Sequence, residues 1–436
     1  MSPPTIRDLR VDYRPVSTLK AYAGNARTHS PKQIRQLAES IKAFGWTNPI
    51  LIDQDGGVIA GHGRLEAARQ LGLEAVPVIC LADMTEAQKR AYIIADNKLA
   101  ENAGWDKDLL RVELVAIEAM KVDFSLQTLG FETPELDILL HTEDAGEEEP
   151  TPEPAPGRPV SRVGDLWLLG RHRLLVGNSL DAASYAAVTN GEPAAAMFTD
   201  PPYNVPVNGH VCGLGKIRHE EFVMASGEMS EAEFRAFLET FMSHARSVLQ
   251  PGAVAFVCID WRHITDVIGA GRSKLGDLIN LCFWNKMTGG MGSLYRSQHE
   301  LVPVFRVPGA PHRNNVELGR HGRNRTNVWD YTGVQARRGE LKMHPTVKPV
   351  AMIRDAIMDV TARGDLVLDP FAGSGSTLIA AEKTGRRAAC IELDPKYADV
   401  IIRRFREATG IEARHAVWDQ TFSEIEAEME APADGE

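Results

Sequence analysis

A strand, a glycine-rich loop and a helix near the carboxyl terminus constrain the fold more than any other segment of this 436-residue chain. The sequence VLDPFAGSGSTLIAAEKTG (367–385) begins as an apolar strand, turns through Gly373 and Gly375, and continues as a helix. A second apolar strand then ends at Glu392. Glycines let a backbone approach a ligand closely, and a helix start offers unpaired N–H groups. Since an acid about twenty residues beyond the first strand suits a ribose diol, this order predicts a nucleoside-type ligand.

The charge at the entrance of the loop narrows the choice of ligand. No Gly-Lys-Ser/Thr follows the glycines, so the segment is not a P-loop. Asp369 would repel a phosphate but attract the amino group of a methionine moiety. We therefore expect S-adenosylmethionine as the cofactor and no metal. The expected cofactor-binding residues are Asp369, Phe371, Gly373, Ser374, Gly375, Ser376, Thr377 and Glu392.

Strand-like and helical segments alternate through residues 160–417. The strand-like segments are AAAMFTD, AVAFVCID, LCFWNK, LVPVFRV, DLVLD and RRAACIEL, and the helical stretches lie at 230–249, 350–360, 375–384 and 395–408. This alternation predicts an α/β fold with a doubly wound, Rossmann-like, largely parallel sheet. Such sheets bind ligands at the carboxyl ends of their strands.

The sequence Asp200-Pro201-Pro202-Tyr203 follows the first of these strands and predicts the chemical site. The Asp200 carboxylate and the rigid Pro201 carbonyl offer two acceptors, which fits an NH2 group with two hydrogens. Bonds from both hydrogens would return electron density to the nitrogen of an aromatic amine and aim it at a methyl donor. Tyr203 supplies a flat face for a base. The alternative is a Pro-Pro turn in which Asp200 is only a cap.

The first 141 residues predict a separate, small α+β domain. A capping box at Ser30 and Gln33 begins a helix that ends at Gly45. A hairpin (49–60), a helix ending near Gly72, the strand VPVICL and a helix from Thr85 to about Leu99 follow.

The acidity of the chain is concentrated in two short segments. Residues 143–153 hold six acids and residues 419–436 hold seven, with no bases, so without these thirteen charges the net charge of −11 becomes +2. We therefore predict an acidic, Pro-rich linker over 142–159 and a ragged acidic tail over 418–436. The remainder is compatible with DNA binding through a local basic patch.

The motifs of the second domain resemble those of the DNA amino-methyltransferases. They are DPPY (200–203), HPTVKP (344–349) and DPFAGSGST (369–377), in the order typical of one subgroup of that family. The resemblance implies that residues 200–203 hold a flipped base and that Thr346 and Lys348 join the cofactor site. In this family Asp at the first motif position usually accompanies adenine N6, whereas Ser is more frequent in cytosine N4 enzymes.

The target-recognition region is expected in an insertion over about 284–343. Its stretch 312–338 holds six arginines, no lysine and two acids. Arginine suits phosphate and guanine contacts, and asparagine suits adenine. A solvated polar loop is the alternative. The predicted DNA-binding residues are Arg313, Arg320, Arg323, Asn324, Arg325, Arg337 and Arg338.

The first domain is similar to the ParB/sulfiredoxin-like fold through NARTHS (25–30), the segment 40–72 and ADNKLAEN (95–102). In partition proteins a nucleotide-binding box reads Gly-Glu-Arg-Arg, and here the same place reads Gly61-His62-Gly63-Arg64. Because only the first and last residues match, the similarity argues against CTP at this domain. A role in contacting DNA or in docking is expected instead.

These observations predict a cytoplasmic, site-specific DNA methyltransferase that acts on double-stranded DNA and not at a membrane. The start of the chain is polar, no apolar run is long enough to span a bilayer, and the five cysteines are scattered. Adenine N6 is the expected target, and cytosine N4 is the first alternative. An RNA or protein methyltransferase and a ParB-like DNA-binding regulator with little methylase activity also stay open, as do a homodimer and an accompanying restriction nuclease.

Overall fold

The computed structural model describes residues 9–120, 122–140, 157–205, 227–287, 289, 294–320, 323–332 and 347–430. The chain divides into two units, Met1–Thr142 and Glu143–Glu436. This division falls after the first residue of the predicted linker over 142–159. All of the linker except residues 157–159 lies outside the described residues.

The first unit is built on a four-stranded sheet with the order β1-β4-β2-β3. Its strands are β1 (Val11–Pro15), β2 (Ile50–Ile52), β3 (Val58–Ala60) and β4 (Ala75–Cys80). Its helices are α1 (Pro31–Phe44), α2 (His62–Leu71), α3 (Glu86–Glu101), α4 (Lys107–Ala119) and α5 (Thr133–Leu140). The predicted hairpin and the three predicted helices are confirmed, and α4 and α5 are additional.

Side-chain caps explain where the helices of the first unit begin. The Ser30 hydroxyl accepts the Gln33 N–H at the start of α1, and Gly45 ends that helix. At α3 the Thr85 and Gln88 side chains each accept the backbone N–H of the other residue, a complete capping box. Each cap satisfies N–H groups that the first helical turn leaves unpaired and contributes about 1 kcal/mol.

The second unit contains a ten-stranded sheet with the order β11-β9-β10-β8-β7-β12-β13-β6-β5-β14. The strands are β5 (Leu166–Leu169), β6 (His172–Val176), β7 (Ala194–Thr199), β8 (Leu249–Val257), β9 (Asp277–Asn285), β10 (His299–Arg306), β11 (Val328–Asp330), β12 (Leu366–Asp369), β13 (Arg387–Glu392) and β14 (Arg414–His415). The helices are α6 (Ala182–Thr189), α7 (Glu231–Val248), α8 (Ile264–Lys274), α9 (Val350–Val360), α10 (Ser376–Lys383), α11 (Pro395–Thr409) and α12 (Phe422–Glu430).

The middle of this sheet is parallel. Strands β8, β7, β12, β13 and β6 run in the same direction, and β10 and β5 join them antiparallel. All six residues of β7 are buried, and neighbours along it face opposite sides: Phe198 joins one hydrophobic cluster and Met197 the other. Helices cover both faces, with Phe237 of α7 packed on one and Ile357 of α9 on the other. The predicted α/β fold with a Rossmann-like sheet is confirmed.

The acidic tail is corrected by the structure. Residues Phe422–Glu430 form a helix, whereas the sequence predicted a ragged segment over 418–436. Phe422 is fully buried, 5.5 Å from the Trp167 ring, and Arg403 donates to Glu426 at 2.6 Å. The high density of acids concealed an apolar face that the sheet needs as cover.

The predicted insertion over about 284–343 includes parts of the main sheet. Strand β10 lies within it, and β11 pairs in parallel with β9 at the sheet's edge. Among the residues that the structure describes, no helix has the length and apolarity required to cross a bilayer. The same residues contain no cluster of three His, Cys, Asp or Glu side chains suited to a metal ion.

Candidate active site

The two sequence motifs meet at the carboxyl ends of neighbouring strands. Strand β7 pairs in parallel with β12, with Met197 opposite Leu368. The Thr199 hydroxyl donates to Asp369 Oδ1 at 3.0 Å, which ties the last residues of the two strands together. Asp200 follows β7 directly, so it lies one strand away from the start of the glycine-rich loop.

Asp200 is part of a buried hydrogen-bonded group. The Tyr203 hydroxyl oxygen lies 2.6 Å from Asp200 Oδ1 and 3.0 Å from Glu300 Oε2. Lys348 Nζ donates to Asp200 Oδ2 at 2.5 Å and lies 3.1 Å from Glu300 Oε2. Lys286 Nζ pairs with the other oxygen of Glu300. Two carboxylates and two ammonium groups therefore form one network.

The charged side chains of this network are largely shielded from solvent, so they depend on one another for compensation. The Lys348 side chain is 4% exposed, that of Glu300 is 12% exposed and that of Asp200 is 23% exposed. The ammonium of Lys348 also lies 5.4 Å from the Tyr203 ring and 5.7 Å from the Trp284 ring, within range of a cation–π contact. An isolated buried charge would be costly, so each member depends on its partners.

The environment separates the protonation behaviour of the two carboxyls. Burial would raise the pKa of Glu300, but the ammonium groups of Lys348 and Lys286 lower that pKa to about 2. Burial raises the pKa of Asp200, and the neighbouring Glu300 charge adds to this, while Lys348 opposes both. The pKa of Lys348 is raised by the two carboxylates despite its burial. Lys348 is thus a permanent cation beside Asp200.

The glycine-rich loop meets the acid that ends β13. Gly373 has φ +52° and Gly375 has φ +82°, backbone conformations that side chains with a Cβ rarely adopt. The Gly373 N–H donates to Glu392 Oε2 at 2.8 Å, and the Asp394 N–H donates to Glu392 Oε1 at 2.9 Å. A Cβ at Gly373 would meet nothing within 4 Å, so the loop borders open space that a ligand can fill.

Arg404, which the sequence did not indicate as a site residue, holds two serines of the glycine-rich loop by hydrogen bonds. Arg404 of α11 is buried and donates to the Ser374 carbonyl at 3.0 Å and to the Ser376 hydroxyl at 3.1 Å. Ser376 and Thr377 are buried at the start of α10. Arg404 belongs to an amphipathic helix, where an arginine normally indicates a solvated face.

Asp369 and Phe371 contribute to the packing around the loop. Asp369 is buried, and in addition to the Thr199 hydroxyl it accepts the Phe371 N–H at 3.1 Å. The Phe371 ring lies 5.0 Å from Phe241 and 5.7 Å from Phe237 of α7. Their contact with a cofactor remains a prediction, because in this structure both residues are engaged with the protein itself.

Burial also shifts the acids that flank the loop. It raises the pKa of Asp369 to about 7, although hydrogen bonds from Thr377, Phe371 and Thr199 oppose the change. Burial raises the pKa of Glu392 to about 7 against the two backbone N–H donors. Perturbed carboxyls in a cleft are typical of functional sites, although structural burial has the same effect.

Two arginines expected to contact DNA are paired with aspartates of α9. Arg323 donates to Asp359 at 2.7 Å, and Arg325 lies 3.1 Å from both Asp355 and Asp359. Arg325 also donates to the Tyr331 hydroxyl, which in turn donates to Asp355 at 2.6 Å. The side chains of Arg323 and Arg325 are 12% and 18% exposed, and their contact with DNA stays a prediction.

The remaining predicted DNA-contacting residues divide into two groups. Arg313, Arg320 and Asn324 are exposed, and Arg320 pairs with Glu317 at 3.2 Å. Arg337 and Arg338 lie outside the described residues, as does Thr346 of the predicted cofactor site.

Glu300 and Lys286 are the site residues that sequence reasoning missed. Both lie within the insertion over about 284–343 in which the target-recognition region was expected. The antiparallel pairing of β10 with β8 and the Ile259–Leu301 bridge bring Glu300 to the carboxyl edge of the parallel strands. Lys348, expected at the cofactor, contacts Asp200 of the Asp-Pro-Pro-Tyr motif, and its contact with a cofactor stays a prediction.

In the first unit, the segment Gly61-His62-Gly63-Arg64 forms the start of α2. Gly61 precedes the helix with φ +99°, and His62 is buried and accepts the Tyr22 N–H through Nε2 at 3.3 Å. Burial lowers the pKa of His62, and the neighbouring His29 adds to that effect. A neutral His62 in this position is consistent with a structural turn.

Comparison with known proteins identifies the class and then the architecture. Residues 194–403 match the family model described as DNA methylase, which places the second unit among the DNA amino-methyltransferases. Residues 5–97 match the ParB N-terminal domain, and residues 108–163 match the ParB-methyltransferase HTH domain. The chain belongs to the DNA amino-methyltransferases that carry an N-terminal ParB domain.

Individual relatives match each unit. The ParB-like nuclease domain-containing protein YnaK of Escherichia coli (strain K12) is 57% identical over 82 residues, 19% of this chain and 94% of YnaK. The DNA adenine methyltransferase YhdJ of the same strain is 34% identical over 117 residues, 27% of this chain and 37% of YhdJ. A putative DNA modification methylase from Thermus thermophilus, solved with S-adenosyl-L-methionine, aligns with a TM-score of 0.40 and 24% identity, over 54% of this chain and 94% of that chain.

Proposed function

We propose that this protein transfers the methyl group of S-adenosylmethionine to the exocyclic amine of a flipped adenine in double-stranded DNA. The observation that carries the proposal is the junction of β7 and β12. Asp200 and the glycine-rich loop start at adjacent strand ends that the Thr199–Asp369 hydrogen bond fixes together. A base amine held by the first motif would therefore lie beside a cofactor held by the second.

The residues of the first motif can prepare an amine for attack. Asp200 and the Pro201 carbonyl would accept one hydrogen bond each from the NH2 group, which localises the nitrogen lone pair. Tyr203 would support the base plane. As the amine nitrogen bonds to the methyl carbon, the carbon–sulfur bond would break and its electron pair would stay on sulfur. The nitrogen then becomes cationic, and Asp200 would stabilise that charge and accept the released proton.

The residues of the glycine-rich loop fit a nucleoside-containing cofactor. S-adenosylmethionine supplies an electrophilic methyl group on a positively charged sulfur. Glu392, at the end of β13, would accept the ribose hydroxyls, and the open space at Gly373 admits the ligand next to the backbone. Arg404 holds Ser374 and Ser376 in place beneath it.

A base in a duplex is inaccessible to a site of this depth, so it must leave the stack. Unstacking and unpairing cost a few kcal/mol, which stacking and hydrogen bonds in the pocket offset. Exposed Arg313, Arg320 and Asn324 are candidates for holding the duplex during this step. The segments that match the ParB and HTH models would add further DNA contacts. We infer no use of CTP from the altered box at residues 61–64.

Adenine N6 is favoured over cytosine N4 by two observations. The first position of the motif is Asp200, the residue that usually accompanies adenine in this family. The relative YhdJ, described as a DNA adenine methyltransferase, is 34% identical over the matched stretch. Cytosine N4, an RNA or protein substrate, and a regulatory DNA-binding role remain the alternatives to test.

Expression in a host that lacks DNA methylation, followed by modification-sensitive sequencing, tests the proposal. The expected result is N6-methyladenine within one short sequence motif. Detection of N4-methylcytosine would instead support the first alternative. The control is Asp200→Ala, which should leave the host DNA unmodified while retaining S-adenosylmethionine binding by calorimetry, since its partner is the base. Unmodified DNA with the wild-type protein would reject the function.

A further inference from the structure

The ammonium of Lys348 lies where a substrate amine would have to bind. It donates to Asp200 Oδ2 at 2.5 Å, so it already uses one of the acceptors that the proposed reaction assigns to the base. The other oxygen of Asp200 accepts the Tyr203 hydroxyl at 2.6 Å, so an amine entering the site must displace one of these two donors or share the carboxylate with them.

A second carboxylate stands ready to hold the displaced ammonium. Lys348 Nζ is 3.1 Å from Glu300 Oε2 and keeps that contact without Asp200. Glu300 is itself fixed by Lys286 and by the Tyr203 hydroxyl. Lysine is a compact charge on a flexible stem, and a small rotation can shift it between two oxygens, which a forked guanidinium could not do as readily.

We propose that Lys348 and Glu300 are positioning residues for the methyl transfer: Lys348 holds the Asp200 carboxylate ionised and oriented until the amine arrives, and Glu300 then retains the ammonium. This inference rests on the proposed function. It extends that function by giving the HPTVKP segment a direct role at the base-binding motif, in addition to the cofactor contact expected from the sequence.

The charges around Asp200 make this role necessary. Burial favours the neutral acid, and a protonated Asp200 would present a donor where the amine needs an acceptor. The titratable and charged groups that face Asp200 or its partners come from six positions around the site: Tyr203, Cys258 at the end of β8, Lys286 after β9, Glu300 of β10, Lys348 before α9 and Asp369 of β12. Of these, Lys348 is the cation in contact with Asp200.

The two residues should have opposite effects on the pH dependence of the reaction. Replacing Lys348 with Met removes the compensating cation, so the acidic limb of kcat/KM should move up by about one to three pH units. Replacing Glu300 with Gln removes a nearby negative charge, so the limb should move down. In E300Q the ammonium is also left on Asp200, where it competes with the amine, and KM for DNA should rise several-fold.

The test is the pH profile of methyl transfer from radiolabelled S-adenosylmethionine to unmethylated duplex DNA, for wild type, K348M, K348R and E300Q. We expect K348R to restore most of the wild-type limb, because it keeps the charge. Melting temperature and S-adenosylmethionine affinity are measured for each variant. If K348M does not fold, E300Q and K348R still carry the test.

The outcomes separate this inference from the function on which it rests. Absence of transfer by the wild type rejects the proposed function. Transfer by the wild type, with the same acidic limb in every folded variant, overturns the inference alone. A loss of activity in K348M and E300Q without any change in the limb assigns both residues a purely structural role and also overturns it.

Discussion

Two partly buried ionic networks in the second unit have nearly the same composition but differ in the kind of cation they contain. The site network contains Asp200, Glu300, Lys286, Lys348, Tyr203 and Trp284, and the support network contains Asp355, Asp359, Arg323, Arg325, Tyr331 and Trp329. Each tyrosine hydroxyl donates to an aspartate at 2.6 Å, and each tryptophan ring receives a cation at 5.6–5.7 Å. The Trp284 N–H donates to the Tyr331 carbonyl, which joins the two networks.

The choice of cation distinguishes them. In the support network the fork of Arg325 contacts two carboxylates and a hydroxyl at once, a geometry that fixes the edge strand β11 against α9. In the site network each lysine presents a single point of charge. The two networks contain the same number of positive and negative side chains. Arginine makes a fixed contact with several partners in one of them, whereas lysine makes a contact that can be exchanged in the other.

The largest expected effect is the loss of stability when Arg325 of the support network is replaced. Arg325→Met leaves two carboxylates partly uncompensated, and the free energy of unfolding should fall by about 3–5 kcal/mol. Urea denaturation measures this loss. Methyl transfer per folded molecule should stay within about threefold of wild type, and a selective loss of catalysis with unchanged stability would reverse the assignment of this network.

Asp200→Asn should reduce catalysis strongly and change stability little. The substitution removes the negative charge that accepts the amine hydrogen, so kcat should fall by about 10²–10³-fold. Lys348 keeps Glu300 as its partner, so the unfolding midpoint should change little. Single-turnover kinetics and thermal denaturation of the same preparation provide the two numbers, and retention of full turnover would remove Asp200 from the mechanism.

Asp369 differs from the carboxylates of both networks because its partners are neutral hydroxyl and N–H donors rather than cations. Its pKa is raised by burial from 3.8 to about 7, so the stability it contributes is fully present below pH 4 and is lost as the pH rises through 7. Asp369→Asn should therefore be more stable than wild type at pH 8 by about 1–3 kcal/mol, and less so at pH 5. Urea titrations at the two pH values measure this difference, and parallel pH dependence in both proteins would contradict it.

The smallest effect is expected at the exposed arginines. The Arg320 side chain is 75% exposed and pairs with Glu317 on the surface, so Arg320→Ala should leave stability within about 0.5 kcal/mol. If Arg320 contacts phosphate, DNA affinity should fall a few-fold and the salt dependence of binding should lose about one unit of slope. Fluorescence anisotropy over a range of salt concentrations is the measurement, with Arg325→Met as the buried counterpart.

Local signals account for what the sequence predicted well. The strand–loop–helix segment around Gly373, the Asp-Pro-Pro-Tyr motif and the capping boxes each depend on residues a few positions apart. The order of the motifs could also place their strands in one parallel sheet. These features required no knowledge of which distant residues meet.

The sequence did not indicate the features that depend on contacts between residues far apart in the chain. The sequence did not indicate that Arg323 and Arg325 pair with Asp355 and Asp359, which are spaced for one face of α9. Glu300 reaches the site only through the pairing of β10 with β8. Phe422 packs under the sheet although acids surround it in the sequence. In each case the partner lies on an element whose position in the fold cannot be read from the nearby residues.

The join between β7 and β12 divides the large sheet into two halves, with β7 to β11 on one side and β12, β13, β6, β5 and β14 on the other. Both motifs flank this join, and the half that contains β12 combines strands that precede β7 in the chain (β5 and β6) with strands that follow β11 (β12, β13 and β14). A circularly permuted chain, in which the strands from β12 onward preceded those from β7, would preserve the same neighbours at the active edge. The chemistry thus fixes adjacency in space while leaving the order of synthesis free.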